Sequence, residues 1–179
     1  MAADRDRAKE FERTAMVHAA SLQRVARRMT GDQTSAEDAV QEALLSAWRT
    51  FDHFQDGTNC RAWLFKILLN HLRKNFTRPS LEIVDIPETL TLDNVVPIRS
   101  RYDGFSGSDI TAAIDTLPAE RRVVLLLAAV EGFTCKEIAG FLDVPIGTVM
   151  SRLSRARSDL RQLLYPQAAT VVAPKKGNA

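Results

Sequence analysis

The stretch from residue 80 to residue 107 divides this chain, because it shows no sustained apolar periodicity. Two prolines, two glycines and several serines interrupt it, and its charged residues up to Ile98 are all acids. An unstructured connector of this length is uncommon inside one compact domain. It therefore predicts an acidic flexible linker at 80–107 between two small domains, at 8–79 and 108–165, followed by a disordered tail at 166–179.

The parts on either side of the linker have the apolar spacing of amphipathic helices. From Phe11 to Met29 apolar positions recur in alternating steps of four and three, which is typical of one helix face. Ser35 is predicted to cap a second helix, and a third is predicted from Arg61 to about Thr77. No segment requires the alternation of a strand, so the predicted fold class is all-α.

The second part contains a helix-turn-helix pattern. Thr134 and Glu137 predict a capping box that starts a short helix, and the turn VPIG leads into a longer helix that ends near Leu164. A helix of this kind fits the major groove of DNA. Its inward stripe is Val149, Leu153, Ala156 and Leu160. Its outward residues are Thr148, Met150, Ser151, Arg152, Ser154, Arg155 and Ser158.

Charge is distributed unevenly along the chain, although the formal net charge is only +2. Residues 57–81 contain bases and no acid, residues 80–98 contain acids and no base, and residues 144–165 contain four arginines against Asp159 alone. Two basic zones on either side of an acidic connector indicate two nucleic-acid surfaces.

The polar loop Phe54–Cys60 opens the first basic zone. Thr58 and Asn59 in this loop could hydrogen-bond the edge of a nucleotide base. Basic and aromatic residues nearby suit the binding of single-stranded nucleic acid. Trp63 lies on the apolar stripe and is expected in the core instead. The alternative is that the loop only connects two helices.

The second helix has a different outward face. Asp38, Gln41, Glu42 and Leu45 share the side opposite the buried stripe. An acidic face repels DNA, so it is either solvated or faces a protein partner with a basic surface.

Several classes of function are not expected from the residues. The charged N-terminus lacks the core of a signal peptide, and no apolar run is long enough to span a bilayer, so a cytoplasmic protein without membrane insertion is predicted. Cys60 and Cys135 lack metal-site spacing and are expected to be reduced thiols, with a redox switch left open. The three histidines are scattered. No catalytic site, metal, cofactor or small-molecule substrate is predicted.

Two segments resemble one known family. AEDAVQEALLSAWRTFDHFQDGTNCRAWLFKILLN resembles region 2 of bacterial extracytoplasmic-function sigma factors of the sigma-70 family, and LPAERRVVLLLAAVEGFTCKEIAGFLDVPIGTVMSRLSRARSDL resembles their region 4. The resemblance covers about residues 11–165, with no separate region 3. It implies a dissociable factor that binds core RNA polymerase, recognises promoter DNA and is held by an anti-sigma factor.

The resemblance also implies roles for individual residues. The polymerase-binding residues would be Asp38, Gln41, Glu42 and Leu45. The residues on the −10 element would be Thr58, Asn59, Arg61, Lys66, Asn70, Arg73 and Lys74. The residues on the −35 element would be Thr148, Met150, Ser151, Arg152, Ser154 and Arg155.

Two other functions remain open on the residues alone. One is a stand-alone helix-turn-helix regulator that binds duplex DNA without polymerase. The other is a protein-interaction module that sequesters another regulator.

Overall fold

The computed structural model of the chain describes residues 2–55, 57–73 and 104–166. Every regular element within these ranges is helical, which confirms the all-α prediction. Across the same ranges, no helix has both the length and the apolar character that crossing a bilayer requires.

Four helices form the N-terminal half: α1 (Ala2–Thr14), α2 (Ala19–Thr30), α3 (Gln33–Thr50) and α4 (Cys60–Leu72). The single helix predicted from Phe11 to Met29 is wrong, because a 3₁₀ turn at Met16–His18 separates α1 from α2. A 3₁₀ turn has three residues per turn, close enough to 3.6 that the apolar spacing continues across it. The buried stripe therefore survives the break and includes Phe11 and Met29.

The N-cap of α3 is Asp32, so the prediction of Ser35 as the cap is wrong. Gly31 ends α2 in the left-handed conformation with φ +83°, and the chain reverses at once into α3. Asp32 Oδ1 then accepts a hydrogen bond of 2.7 Å from the Ser35 backbone N–H. This interaction lowers the pKa of Asp32. Ser35 thus donates the capping hydrogen bond instead of accepting it.

The C-terminal half contains α5 (Gly107–Thr116), α6 (Ala119–Leu125), α7 (Cys135–Leu142) and α8 (Ile146–Leu164). A π-helical turn at Leu126–Val130 extends α6. The capping box of Thr134 and Glu137 is confirmed at the start of α7. The predicted inward stripe of α8 is buried, which fixes α8 against the rest of this half.

Parts of the predicted organisation fall outside the described residues. The helix predicted from Arg61 begins at Cys60, and its described part ends at Leu72 with Arg73 as the C-cap. Lys74, linker positions 80–103 and tail positions 167–179 are not described. The domain boundaries remain predictions.

The two halves pack directly against each other. Helix α4 lies against α7, and α2 lies against α6. Buried apolar residues from both halves belong to one continuous cluster. At the junction, Phe65 of α4 meets Phe133 in an edge-to-face arrangement with ring centroids 5.0 Å apart. The two parts distinguished in the sequence therefore share an interface in this structure.

Candidate polymerase and nucleic-acid surfaces

The outward face of α3 is open to solvent. Asp38, Gln41 and Glu42 are exposed, and Leu45 exposes 47% of its surface. Within the described part of the chain, Asp38 and Glu42 have no ion-pair partner. The α3 face, defined by these four residues, therefore presents acids and an apolar side chain together.

The opposite side of α3 explains why this face points outward. Ala36, Val40, Ala43 and Ala47 are buried there. Their spacing of four, three and four residues keeps them on one side of the helix. Packing against α2 and α4 thus fixes the rotation of α3 and leaves the α3 face accessible.

The loop before α4 uses its two predicted base-contacting residues for its own structure. Thr58 Oγ1 donates a hydrogen bond of 2.7 Å to the carbonyl of Gln55. Asn59 Oδ1 accepts from the Ala62 backbone N–H at 3.0 Å and so caps α4. Both residues remain exposed. The cap uses only the side-chain oxygen of Asn59.

The aromatic residues beside this loop pack on one another. The rings of Phe51 and Phe54 stack with centroids 5.9 Å apart, and Trp63 lies 5.0 Å from Phe54. Trp63 is half-buried and packs against the core cluster, so it lies at the edge of the core and not inside it as expected. The three rings form a packed aromatic cluster beside the exposed loop.

The predicted −10 residues from Arg61 onward differ in their surroundings. Lys66 and Asn70 are exposed on the helix, whereas Lys74 lies outside the described residues. Arg73 is exposed but lies 3.8 Å from the Asp143 carboxylate, in the turn between α7 and α8. Arg61 is half-buried at the interface between the halves.

A buried carboxylate from the C-terminal half engages Arg61. Glu131 accepts from Arg61 Nη2, and its backbone carbonyl accepts from Arg61 Nη1 at 2.8 Å. Arg24 Nε of α2 donates to the other carboxylate oxygen at 2.9 Å. The Glu131 side chain is only 1% exposed. Two guanidinium groups therefore neutralise one buried acid where the halves meet.

The π-helical turn positions this acid. The Glu131 backbone N–H bonds to the carbonyl of Leu126, five residues earlier, and Gly132 follows with φ +73°. The extra residue in a π turn rotates the side chains that follow by about 100° relative to a continuous α-helix. Neither Glu131 nor Arg24 was identified from sequence. A lone acid after the apolar run VVLLLAAV was the only local signal.

The predicted −35 residues lie on α8 and are all half-buried: Thr148, Met150, Ser151, Arg152, Ser154 and Arg155. Arg152 pairs with Glu120 of α6 at 3.0 Å and is 20% exposed. Ser151 Oγ donates to the Thr148 carbonyl at 3.0 Å. The structure thus brings these residues together on one helix, but it commits the charge of Arg152 to an internal acid.

The two cysteines are free thiols that begin the two helices meeting across the interface. Cys60 is the first residue of α4 and Cys135 the first of α7. Burial raises the pKa of both thiols, and for Cys135 the charge of Arg157 partly opposes that rise. Over the described ranges, no group of three potential metal ligands was found.

Comparison with known proteins places the two halves in one family. Residues 15–80 match the sequence model of sigma-70 region 2, and residues 107–160 match that of sigma-70 region 4. The chain is 36% identical to the ECF RNA polymerase sigma factor EcfG of Rhodopseudomonas palustris, over 86% of this chain and 84% of the relative.

The fold is similar to that of solved structures, of which two are described. One is the sigma factor RpoE in complex with the anti-sigma factor NepR from Bartonella quintana. It has a TM-score of 0.65 and 30% identity, covering 89% of this chain and 99% of that one. The other is CnrH in complex with the cytosolic domain of CnrY, with a TM-score of 0.60 and 26% identity, covering 92% of this chain and 90% of that one.

Proposed function

The chain belongs to the extracytoplasmic-function RNA polymerase sigma factors of the sigma-70 family, and we propose that it binds core RNA polymerase and directs initiation at promoters with −10 and −35 elements. Members of this family regulate transcription initiation and are not enzymes. The proposal places the chain in the cytoplasm, where transcription occurs.

The exposed α3 face carries the polymerase part of the proposal. Acids that surround an exposed leucine suit a basic protein surface with an apolar pocket, since complementary charge guides association and the apolar contact adds affinity. Asp38, Gln41, Glu42 and Leu45 are the residues proposed to dock on polymerase. The same acids disfavour DNA on this side of the molecule.

The DNA part of the proposal uses a different chemistry in each half. In the N-terminal half, Lys66, Asn70, Arg73 and Lys74 would hold the backbone of the −10 strand, and Thr58, Asn59 and Arg61 would lie beside an extruded base. Cations along the backbone together with stacking surfaces are typical of single-strand binding. The opened strand would be stabilised by binding alone, without nucleotide hydrolysis.

In the C-terminal half, α8 would enter the major groove at the −35 element. Small residues such as Ser151 and Ser154 allow close approach, and arginine recognises guanine edges or phosphates. The −35 residues are Thr148, Met150, Ser151, Arg152, Ser154 and Arg155. To contact DNA, the Arg152 guanidinium must give up its ion pair with Glu120.

We also propose that an anti-sigma factor controls the chain. Two of the solved structures that it resembles are complexes, one with the anti-sigma factor NepR and one with CnrY. An exposed α3 face is accessible to such a protein as well as to polymerase, so the two would compete.

The test is reconstitution with purified core RNA polymerase. The chain should co-elute with the core enzyme in gel filtration, and the mixture should start transcripts from a promoter that neither component uses alone. Tight binding to duplex promoter DNA without polymerase, and no effect on initiation, would favour a stand-alone regulator. Absence of DNA binding in every context would favour an interaction module.

A further inference from the structure

The contact between Glu131, Arg24 and Arg61 joins the two halves of the chain at a buried point. Both arginines lie in the half matched by region 2, and the acid lies in the half matched by region 4. The Glu131 side chain is almost completely buried, whereas that of Arg24 is 51% exposed and that of Arg61 is 27% exposed. The acid is therefore enclosed, while the arginines border solvent.

Further contacts surround this point. Arg28 Nη1 of α2 pairs with Asp115 Oδ2 of α5 at 2.6 Å. Arg122 Nη1 of α6 donates to the Arg28 carbonyl at 2.9 Å. The Arg61 guanidinium also lies over the Phe133 ring, 4.5 Å from its centroid. The interface thus has a charged centre with a ring on one side.

The geometry of a promoter is incompatible with this closed arrangement. Elements centred about 25 base pairs apart are separated by roughly 85 Å along the helix axis. A compact chain of this length has a radius of gyration of about 16 Å. The halves must separate if both are to contact DNA. The chain between Leu72 and Gly107 would allow this, since its fully extended length is roughly 110 Å.

The chemistry of the buried point matches that of a phosphate site. Arginine binds carboxylate and phosphate with the same donor geometry. Arg24 and Arg61 converge on the two oxygens of one carboxylate, as they would on the oxygens of one phosphate. Arg61 is also one of the residues assigned to −10 DNA under the proposed function.

We propose that Arg24 and Arg61 form a binding site for a backbone phosphate of the −10 strand, and that Glu131 occupies this site while the chain is closed. Opening of the halves withdraws the carboxylate and frees both guanidinium groups for DNA. Glu131 then acts as an internal competitor of DNA, and Arg24 is a DNA-binding residue. The role on the −10 strand rests on the proposed function.

The experiment uses the full chain without polymerase. Phosphate contacts are not sequence-specific, so a fluorescein-labelled single-stranded oligodeoxythymidylate serves as the probe. Glu131→Gln keeps the shape of the side chain but removes its charge. We expect it to raise the affinity for the probe by roughly tenfold or more at low salt. Small-angle X-ray scattering should show a larger radius of gyration.

The salt dependence of probe binding reports how many new phosphate contacts are formed. For a single strand, each neutralised phosphate steepens the slope of log K against log salt concentration by about 0.7. Glu131→Gln should steepen the slope by at least about that amount. Adding Arg24→Ala to Glu131→Gln should reverse the gain in affinity while the chain stays expanded.

Asp159→Asn is the matched control, because it changes the net charge equally but breaks an ion pair inside one half, that of Arg121 and Asp159. It should leave the radius of gyration unchanged. Circular dichroism of every variant checks folding. If Glu131→Gln loses helical content, Asp115→Asn at the edge of the interface replaces it and should expand the chain to a smaller extent.

Either of two results would overturn the proposal: unchanged probe affinity in folded Glu131→Gln, or full retention of the gain when Arg24 is also removed. Transcription with core polymerase is measured separately on the wild-type chain. Normal initiation alongside a failed probe experiment would reject the phosphate site alone. Failed initiation would reject the proposed function, while the scattering still reports on closure.

Discussion

The acids of the α3 face and the basic residues of α4 and α8 differ in whether their charges are already paired within the molecule. Asp38 and Glu42 are exposed and have no ion-pair partner within the described ranges, whereas Arg61, Arg73 and Arg152 each face an acid: Glu131, Asp143 and Glu120. The surface proposed for a protein partner is therefore available. The positive charge of the surfaces proposed for DNA is partly neutralised by acids of the same chain.

What a surface can bind depends on both its exposure and whether its charges are already paired. A guanidinium that already binds a carboxylate must exchange that partner for phosphate, so its net gain on DNA is smaller than that of a solvated cation. The acids of the α3 face lose no ion pair when they bind. We expect polymerase to be bound first and DNA second.

The largest expected effect concerns the α3 face. The double change Asp38→Arg and Glu42→Arg should weaken binding to core polymerase by roughly 100-fold or more, because like charges across an interface cost several kcal/mol. Fluorescence anisotropy with labelled chain and purified core enzyme measures it. Glu42→Arg alone should weaken binding, whereas Glu12→Arg on exposed α1 should not. Unimpaired holoenzyme assembly by the double variant would reject this face as the docking site.

The next effect concerns α8. Arg155→Ala should reduce initiation that depends on the −35 element, because a specific base contact is worth about 1–3 kcal/mol. Run-off transcription from promoters with and without that element measures the loss. Arg161→Ala, at the exposed end of the same helix, is the matched control and should have little effect. Equal activity of Arg155→Ala and the control would contradict the placement of α8 in the groove.

A smaller effect separates the two roles of Asn59. Asn59→Ala removes the cap of α4 and should destabilise folding by about 1 kcal/mol, as measured by urea denaturation. Asn59→Asp keeps a capping oxygen and should retain stability, but its negative charge should impair open-complex formation on the −10 strand. If Asn59→Asp is as active as the wild type, Asn59 serves only as a cap and the loop does not approach DNA.

The smallest expected effect concerns the reactivity of the two cysteine thiols. Because burial raises the pKa of both Cys60 and Cys135, fewer thiolates are present at neutral pH. Both should be alkylated by iodoacetamide more slowly in the folded chain than in urea. Mass spectrometry of single variants that retain one cysteine distinguishes the two. Fast alkylation of Cys60 in the native chain would show that the N-terminus of α4 is more open than the structure indicates.

Local signals in the sequence predicted much of the fold. The capping box of Thr134 and Glu137 and the inward stripe of α8 depend on residues at most a few turns apart, so the spacing alone reveals them. The π-helical turn at Leu126–Val130 has no comparable signature, because apolar spacing tolerates one extra residue. The cap at Asp32 was missed because Ser35 also has a capping side chain nearby.

The interface between the halves lay beyond sequence reasoning. Arg24 and Glu131 are 107 positions apart, and nothing near either residue indicates the other. The same holds for Arg61, which the sequence marks as a basic residue beside the loop, because only the fold reveals its partner Glu131. Residue types and helix faces are encoded locally, whereas the charge available on a face depends on the tertiary structure.

We infer that the free chain is closed, with Arg61 held by Glu131, and that it opens on polymerase. In a chain with Cys60 and Cys135 changed to serine, the exposed residues Arg49 on α3 and Lys136 on α7 are each replaced by cysteine. The two new cysteines carry a donor and an acceptor fluorophore. Energy transfer between the labels should be high in the free chain and should fall when core polymerase and promoter DNA are added. A transfer efficiency that stays high in an initiating complex would show that the halves do not separate.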